Sequence, residues 1–507
     1  MAERSHAHVT ALCHGRIHGF PGADTIVLER DRIRAVGRAR ELEGLWTEVG
    51  GDVLDLNGKY VLPGFIDAHI HLMQTGLIAS GWQIALAGLT RDETLDALAR
   101  AARHRGGEWV VAYGWDESTW EDRRYLSRSE LDAVAPASPV LATRLDGHLM
   151  AANSLAMASV PAEAPEDLIE PAQGWLREAA VNEMMKAIQP DEEAVRRALA
   201  AATDLCHQLG ITTVHTMTRS VYLDALQRHR QERRLRVVVC PEVESLSLLT
   251  ERGLRTGHGD AWLRLGGVKI FADGSIGAGN AAVSVPFRNG GCGTLNHEDA
   301  TLRTWISAAD RDGWQTIVHA IGDRAIEQVL RVHATVRTDS SLRHRIEHFE
   351  LPTAEQVERT AENRLWVSVQ PNFTANWSGP GGLYDERLGP QRDARSNPLR
   401  ELLDAGLDLA FGSDGMPPGP LYGLHGALDG PFPSQRITFE EAIAAYTLGG
   451  ATFEFEEDEK GSLDPGRLAD LAVLDHDPST APDQLLERSI EMTFVGGRLV
   501  YSRAADA

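Results

Sequence analysis

The sequence predicts an α/β protein: a (β/α)8 TIM barrel with a small β-sandwich from both chain ends and an α/β insertion after the first barrel strand. Three observations predict it. Eight short apolar, β-branched runs are separated by amphipathic stretches, the pattern of βα units feeding a parallel sheet. The first interval between runs, from His71 to Ile211, is about 140 residues, where one helix and its loops need about 30. Both chain ends carry strand-like pieces separated by turn residues. The expected organisation is a sandwich from residues 1–60 and 460–507, a barrel from 61–75 and 191–459, and an inserted capping domain over 76–190.

In chain order, the amino-terminal sandwich pieces lie at residues 25–28 (TIVL) and 33–37 (IRAVG), and the carboxy-terminal ones at 471–474 (LAVL) and 492–495 (MTFV). Their turn-rich spacing reads as antiparallel hairpins. Residues 61–72 (VLPGFIDAHIHL) form the first barrel strand, an apolar run that ends in His69 and His71. Residues two apart in a strand share a face, so both imidazoles can reach one metal ion. After the insertion, residues 191–210 supply the first barrel helix. Seven further strands follow at 211–215 (ITTVH), 235–240 (LRVVVC), 265–271 (LGGVKIF), 315–319 (QTIVH), 345–349 (RIEHF), 365–370 (LWVSVQ) and 407–412 (LDLAFG). Their spacing of roughly 20 to 50 residues suits a barrel of about 250 residues with loop elaborations. Residues 371–398 have the composition of a mobile cover, a static surface loop or an oligomer contact. The acidic run 454–459 reads as a solvated turn between barrel and sandwich.

Composition narrows the function classes. The 507 residues exceed one ordinary domain. The net charge of −23 is spread without a long acidic tail, and no basic stripe exists to neutralise phosphates, so nucleic acid is not an expected partner. Cys13, Cys206, Cys240 and Cys292 are far apart and form no Cys-x-x-Cys pair, which implies neither a thiolate zinc site nor a disulfide framework. Residues 1–20 lack the continuous apolar core of a signal peptide, and nowhere do about 18 apolar residues run together. No Gly-x-Gly-x-x-Gly turn joins a strand to a helix, which disfavours a redox enzyme. The expectation is a cytoplasmic enzyme with a small-molecule substrate, no membrane contact and scope for homo-oligomerisation.

The remaining candidate ligands fall at strand ends. Lys269 lies near the end of the fourth strand, His319 ends the fifth, His348 lies near the end of the sixth, and Asp414 follows the eighth in Phe411-Gly412-Ser413-Asp414. Active sites of this barrel are built on that rim from the ends of several strands. A His-x-His pair alone is a weak signal. Joined by Lys, His, His and Asp at four other strands, it reads as a metal cluster. A protonated lysine is a poor ligand, and its reference pKa is about 10.4. Burial near metals must lower that value, or the amine must be modified; a salt-bridge or substrate-carboxylate role is the alternative for Lys269.

This set resembles the binuclear members of the amidohydrolase superfamily. Residues 55–65 (DLNGKYVLPGF) resemble that family's lead into the barrel, and residues 461–471 (GSLDPGRLADL) its return to the sandwich. Residues 268–275 (VKIFADGS), 318–325 (VHAIGDRA) and Asp146-Gly147-His148 followed by Asn153-Ser154 are similar to amidohydrolase family 3, the branch that includes N-substituted formamide deformylases. The resemblance implies that Lys269 is carboxylated by carbon dioxide and bridges two divalent metal ions. His69, His71, Lys269 and Asp414 would hold the more buried ion, and Lys269, His319 and His348 the outer one. Zinc suits the histidine-rich set, with iron, manganese and cobalt as alternatives.

The implied activity is a metal-dependent hydrolase acting on carbon–nitrogen bonds other than peptide bonds, an amide or N-acyl amine, through metal-activated hydroxide. Asp414 would be the catalytic proton carrier. A cyclic amidohydrolase or deaminase on the same barrel is the alternative within the fold, and a noncatalytic scaffold the alternative outside it. A mononuclear deaminase has no need of Lys269, and a scaffold has no need of the six ligands. Trp115, His148 and Asp323 are the expected substrate contacts, with Trp120 beside Trp115, and Asp146 and Asn153 beside His148. Insertion core for the tryptophans, turn chemistry for Asp146, His148 and Asn153, and a helix-start carboxylate for Asp323 are the competing readings. Two segments depart from the relatives: Ile276-Gly277-Ala278-Gly279-Asn280 stands where an Arg-Thr pair is usual, and Gly415-Met416-Pro417 where Ala-Pro often follows.

Overall fold

The computed structural model describes residues 9–145, 147–229 and 234–505. Eight strands run parallel in chain order: β1 (Phe65–Ile70), β2 (Ile211–Thr218), β3 (Arg236–Pro241), β4 (Val268–Phe271), β5 (Thr316–Ala320), β6 (Arg345–His348), β7 (Trp366–Val369) and β8 (Leu409–Phe411). They form two all-parallel sheets. One joins β1, β2 and β3 and adds Leu263–Leu265 at its edge; the other runs from β4 to β8. A parallel bridge between Glu242 and Lys269 links the end of β3 to β4. Ser413 N and Asp414 N donate to His69 O at 3.1 and 2.7 Å, linking the end of β8 to β1.

Local chemistry explains these elements. Strands covered on both faces read as continuous apolar runs, and every residue of β1, β2, β5, β6 and β8 is buried. Helices Asp299–Arg311, Asp323–Val336 and Ala354–Glu362 connect successive strands from β4 to β7, turning residues such as Leu302, Ile306, Ile326, Val329 and Val357 inward. The predicted fourth strand breaks in two at Gly266-Gly267. A side chain at Gly267 would come within 2.6 Å of Gln315 O, so the chain there passes too close to the lead-in of β5 for any residue but glycine.

Residues from both chain ends build two further sheets. One contains Arg32–Gly37, Thr25–Glu29, Val9–Cys13 and Asp52–Asp55; the other contains Arg16–Ile17, Tyr60–Pro63, Leu471–Leu474, Ile490–Val495 and Arg498–Ser502. They share one apolar cluster that includes Leu12, Ile26, Leu28, Val61, Leu471, Val473 and Phe494. Not all of the pairing is antiparallel. Val9–Cys13 with Asp52–Asp55, and Arg16–Ile17 with Tyr60–Pro63, pair in parallel because the chain between them is long enough for a crossover.

The acidic run is a correction to the expected solvated turn. Glu454 is buried and pairs with Lys460 at 2.9 Å, Glu456 pairs with Lys460 at 2.9 Å and with Arg264, and Glu457 pairs with Arg343 at 2.6 Å. Three of these four cation contacts come from Lys460 and Arg264, and Arg264 and Arg343 lie more than a hundred residues upstream, where no reading of a local charge run detects them.

A second compact unit comprises Met73–Ala202 with Gly274–Asn280. Its mixed six-stranded sheet includes Gln83–Ala85, Val110–Trp115 and Val140–Arg144 in parallel and Leu149–Ala152 antiparallel to the last. Helix Arg91–Arg105 starts at a capping box between Thr90 and Glu93 and packs Leu98 and Ala102 into the unit's core. Among the described residues, no helix is long and apolar enough to cross a membrane.

Candidate metal centre

β1 carries His69 and His71 at its end. His69 N donates to Asp67 Oδ1 at 3.2 Å, and the same oxygen accepts Ser413 N at 3.0 Å. Burial, opposed by the Ser413 bonds, pushes the Asp67 carboxyl up to about 7. β8 then passes close by: a side chain at Gly412 would lie 2.5 Å from His69 N, so glycine is required for that approach. The result places His71 Nε2 at 3.1 Å and His69 Nε2 at 3.6 Å from Asp414 Oδ1. Ligand atoms of these three residues all lie within 4.8 Å of one another.

Each neighbour of His69 has a distinct role. Its Nδ1 contacts Glu347 Oε2. A carboxylate only accepts, so Nδ1 carries the proton and Nε2 presents its lone pair toward Asp414. Lys269 Nζ lies 3.5 Å from that Nε2 and is buried. Burial, against the charges of Glu347 and Asp414, lowers the lysine to about 8. His69 is pulled well below the usual imidazole range by burial and then by the Lys269 charge. For Asp414 burial acts upward, but His71, His69 and Lys269 outweigh it and hold the carboxyl below its ordinary value.

His319 and His348 extend the cluster. Their ring centroids are 4.4 Å apart, and His348 lies 4.8 Å from His69. His348 Nδ1 meets Gln370 Oε1 at 2.7 Å, while His319 Nε2 lies 3.5 Å from Asp273 Oδ1. Asp273 in turn accepts Ala282 N, Ile321 N and Gly322 N at 2.8 to 3.0 Å, fixing the loop after β5. Burial, then the charges of His69 and Lys269, keep His348 well below the imidazole range. Backbone strain marks the same place. His348, Phe349 and Asp414 have φ of 69°, 52° and 55°, in a region side chains other than glycine rarely adopt and which recurs at functional sites.

That strain explains residues the sequence does not reveal. Strand alternation puts Glu347 and His348 on opposite faces. His348 leaves the extended region, which ends the alternation, and both side chains then reach His69. Gln370 and Asp273 are likewise invisible as ligand supports, since Asx and Gln residues after strands are common. For Asp273 the one available signal was its place just after the strand that carries Lys269; Gln370 follows β7, which carries no candidate ligand, and had none.

The residues expected to contact substrate have partners of their own. Trp115 is corrected to a core residue: it is 0% exposed in the second unit, donates Nε1 to Ala142 O at 2.8 Å and stacks on buried Trp120 at 5.8 Å. Asn153 is also structural, accepting Val140 N and Ala156 N and donating to Ala135 O and Ser138 O. His148 is partly exposed in the second unit, with Nδ1 at 2.8 Å from Glu178 Oε2. Asp146 lies outside the described residues. Asp323 opens helix Asp323–Val336 and accepts Ser284 N at 2.8 Å, the arrangement of a helix-start carboxylate. Residues 371–398 fold into short helices Pro371–Trp377, Leu383–Leu388 and Pro390–Asp393, tied by Tyr384 Oη to buried Glu350 and by Arg392 to Pro286 O at 3.0 Å.

The chain resembles known proteins over nearly its whole length. The chain is 29% identical over 533 residues to protein LONG AFTER FAR-RED 3 of Arabidopsis thaliana, covering 95% of this chain and 89% of that one. It is 27% identical over 526 residues to N-substituted formamide deformylase of Arthrobacter pascens, covering 95% of each. Among solved structures, an uncharacterized metal-dependent hydrolase from Pyrococcus furiosus superposes with a TM-score of 0.77 at 28% identity, over 93% of this chain and 99% of that chain. Residues 52–501 match the amidohydrolase family, and the chain belongs to it.

Proposed function

We propose that this chain hydrolyses a carbon–nitrogen bond in a linear amide or N-acyl amine, at a binuclear divalent centre on the rim of a closed (β/α)8 barrel. The observation that carries this reading is the convergence of His69, His71 and Asp414, with the amine of Lys269 3.5 Å from His69 Nε2. Chain-order parallel pairing and the hydrogen bonds from Ser413 and Asp414 to His69 support closure of the barrel.

The donor set fits a divalent metal. Asp414 Oδ1 is buried without an aligned hydrogen bond among the described residues, and its nearest partners are imidazole nitrogens. Burial disfavours the charged form of His69 and His348, leaving lone pairs to give. His69, His71, Lys269 and Asp414 would hold one ion, and Lys269, His319 and His348 the other; the nitrogen-rich mixture suits zinc. When bound, the ions supply Lewis acidity that acidifies water and polarises a carbonyl.

The protein's own groups do the rest. The Lys269 amine nitrogen bonds the carbon of carbon dioxide, one N–H proton leaves to solvent, and the anionic carbamate offers two oxygens. Glu347 and Gln370 hold His69 and His348 through their Nδ1 atoms. Asp414 takes a proton from the attacking water and returns it to the leaving nitrogen, so that an amide and water become a carboxylic acid and an amine.

Elemental analysis of protein purified without chelators tests the reading. Two metals per chain in the wild type, a loss in Lys269→Ala, and turnover in a panel of N-formyl and N-acetyl amines are expected. One metal, unchanged by the substitution, would remove the bridging lysine.

A further inference from the structure

A chain of buried charges runs through the parallel-stranded unit and ends on His69. Lys460 Nζ lies 2.9 Å from Glu454 Oε1, and that oxygen lies 3.6 Å from His215 Nε2. His215 Nδ1 faces Arg345 Nη1 at 3.2 Å, Arg345 Nε faces Glu347 Oε1 at 2.8 Å, and Glu347 Oε2 meets His69 Nδ1. All six side chains are at most 3% exposed. Several of these contacts are close charge pairs rather than aligned hydrogen bonds.

The directions are mutually consistent. Carboxylates only accept, and Lys and Arg only donate. Glu454 therefore faces the Lys460 ammonium and, at 3.6 Å, the protonated Nε2 of His215, leaving His215 Nδ1 to accept from Arg345. Arg345 spends its other face on Glu347, which receives the Nδ1–H of His69. One arrangement of protons is compatible with every pairing. The six side chains sum to zero charge when both histidines are neutral, which is the condition for burying so many ionised groups together.

Resting on the metal reading above, we propose that Glu347 is a positioning residue that holds His69 with its Nε2 lone pair toward Asp414, and that Lys460 acts on His69 through Glu454, His215, Arg345 and Glu347. Lys460 lies at the start of the return to the chain-end sheets, 391 positions from His69 in sequence. Its removal leaves Glu454 in the interior without its cation, and the neighbour that remains against it is His215, which is held by the arginine that pairs with Glu347. Supports of this kind change metal affinity by about 10- to 100-fold when lost. Spatial continuity alone does not establish coupling, so the test is a thermodynamic cycle.

Zn2+ affinity would be measured by chelator competition, and the Co2+ absorption spectrum recorded, for wild type, Glu347→Gln, Lys460→Met and the double variant, with Lys460→Arg as the conservative rescue. In the metal-free protein, two-bond 1H–15N correlation would report the His69 tautomer, with Glu347→Asp as a second variant that keeps the charge if Glu347→Gln does not fold. The expected result is at least a tenfold loss in Glu347→Gln, a smaller loss in Lys460→Met, a double variant no worse than Glu347→Gln, recovery in Lys460→Arg, and a Nδ1–H tautomer that weakens in both single variants. Additive losses, or a His69 tautomer and Co2+ spectrum indifferent to Lys460, would overturn the coupling. A His69 tautomer unchanged by Glu347→Gln would overturn the positioning role. A wild type that binds no metal would instead remove the proposed function, while the metal-free tautomer measurement still decides the positioning role.

Discussion

At the scale of single residues, Lys269 shows how burial changes what a side chain can do. In water its amine would be almost wholly protonated at neutral pH. Packed beside His69, it is lowered to about 8, so a usable fraction is a neutral nucleophile. The sign follows directly: raising pH through that value increases the free amine. At fixed dissolved 13C-carbon dioxide, a carbamate 13C signal should therefore grow between about pH 7 and 9 and be absent from Lys269→Ala. A flat signal over that range would show that the amine stays protonated or closed to carbon dioxide. All six proposed ligands were legible because each sits at or beside the end of an apolar run, a local pattern. Glu347 was not, because alternation assigns it to the face opposite His348, and only the positive φ of His348 brings both inward.

At the scale of elements, the strands were read more accurately than the connections. Each of the eight parallel runs is present, with the fourth interrupted where Gly266-Gly267 lets the chain move from β3 to β5. The acidic segment after the last helices was misread because, beside the adjacent Lys460, its neutralising partners Arg264, Arg343 and His215 are remote in sequence. Burial drives the Glu454 carboxyl up, yet Lys460 and His215 outweigh it and bring it down to about 2. A carboxyl depressed on folding stabilises fully above its unfolded value near 4.5 and loses that contribution as pH falls toward 2. Urea unfolding of Glu454→Gln and wild type should thus differ most above about pH 5 and converge as pH falls toward 2. A difference independent of pH would mean that packing, rather than charge, is what Glu454 contributes.

At the scale of the whole molecule, the proposed ligands are recruited from β1, β4, β5, β6 and the segment after β8, so a bound metal would tie together strands separated by more than 300 residues. A ligand that binds only the folded chain stabilises it by about 2.7 kcal/mol at 100 times its Kd. Melting followed with and without a chelator should show a lower Tm for the stripped protein, restored by Zn2+, and no such response in His69→Ala. Equal melting in all three samples would argue against a centre linked to folding. The sequence by itself determined the alternation of strands and helices, the inserted length after β1 and the chemical identity of the candidate ligands, since periodicity, spacing and residue type are local properties. Only the tertiary structure decided that Glu347, Gln370 and Asp273 support those ligands, that Trp115 is core, that residues 274–280 belong with the second unit and that Glu454 is buried. Those outcomes depend on which distant groups meet once the chain has closed, and the free energy of such meetings, charge against charge in a low-dielectric interior, is carried by no single stretch of sequence.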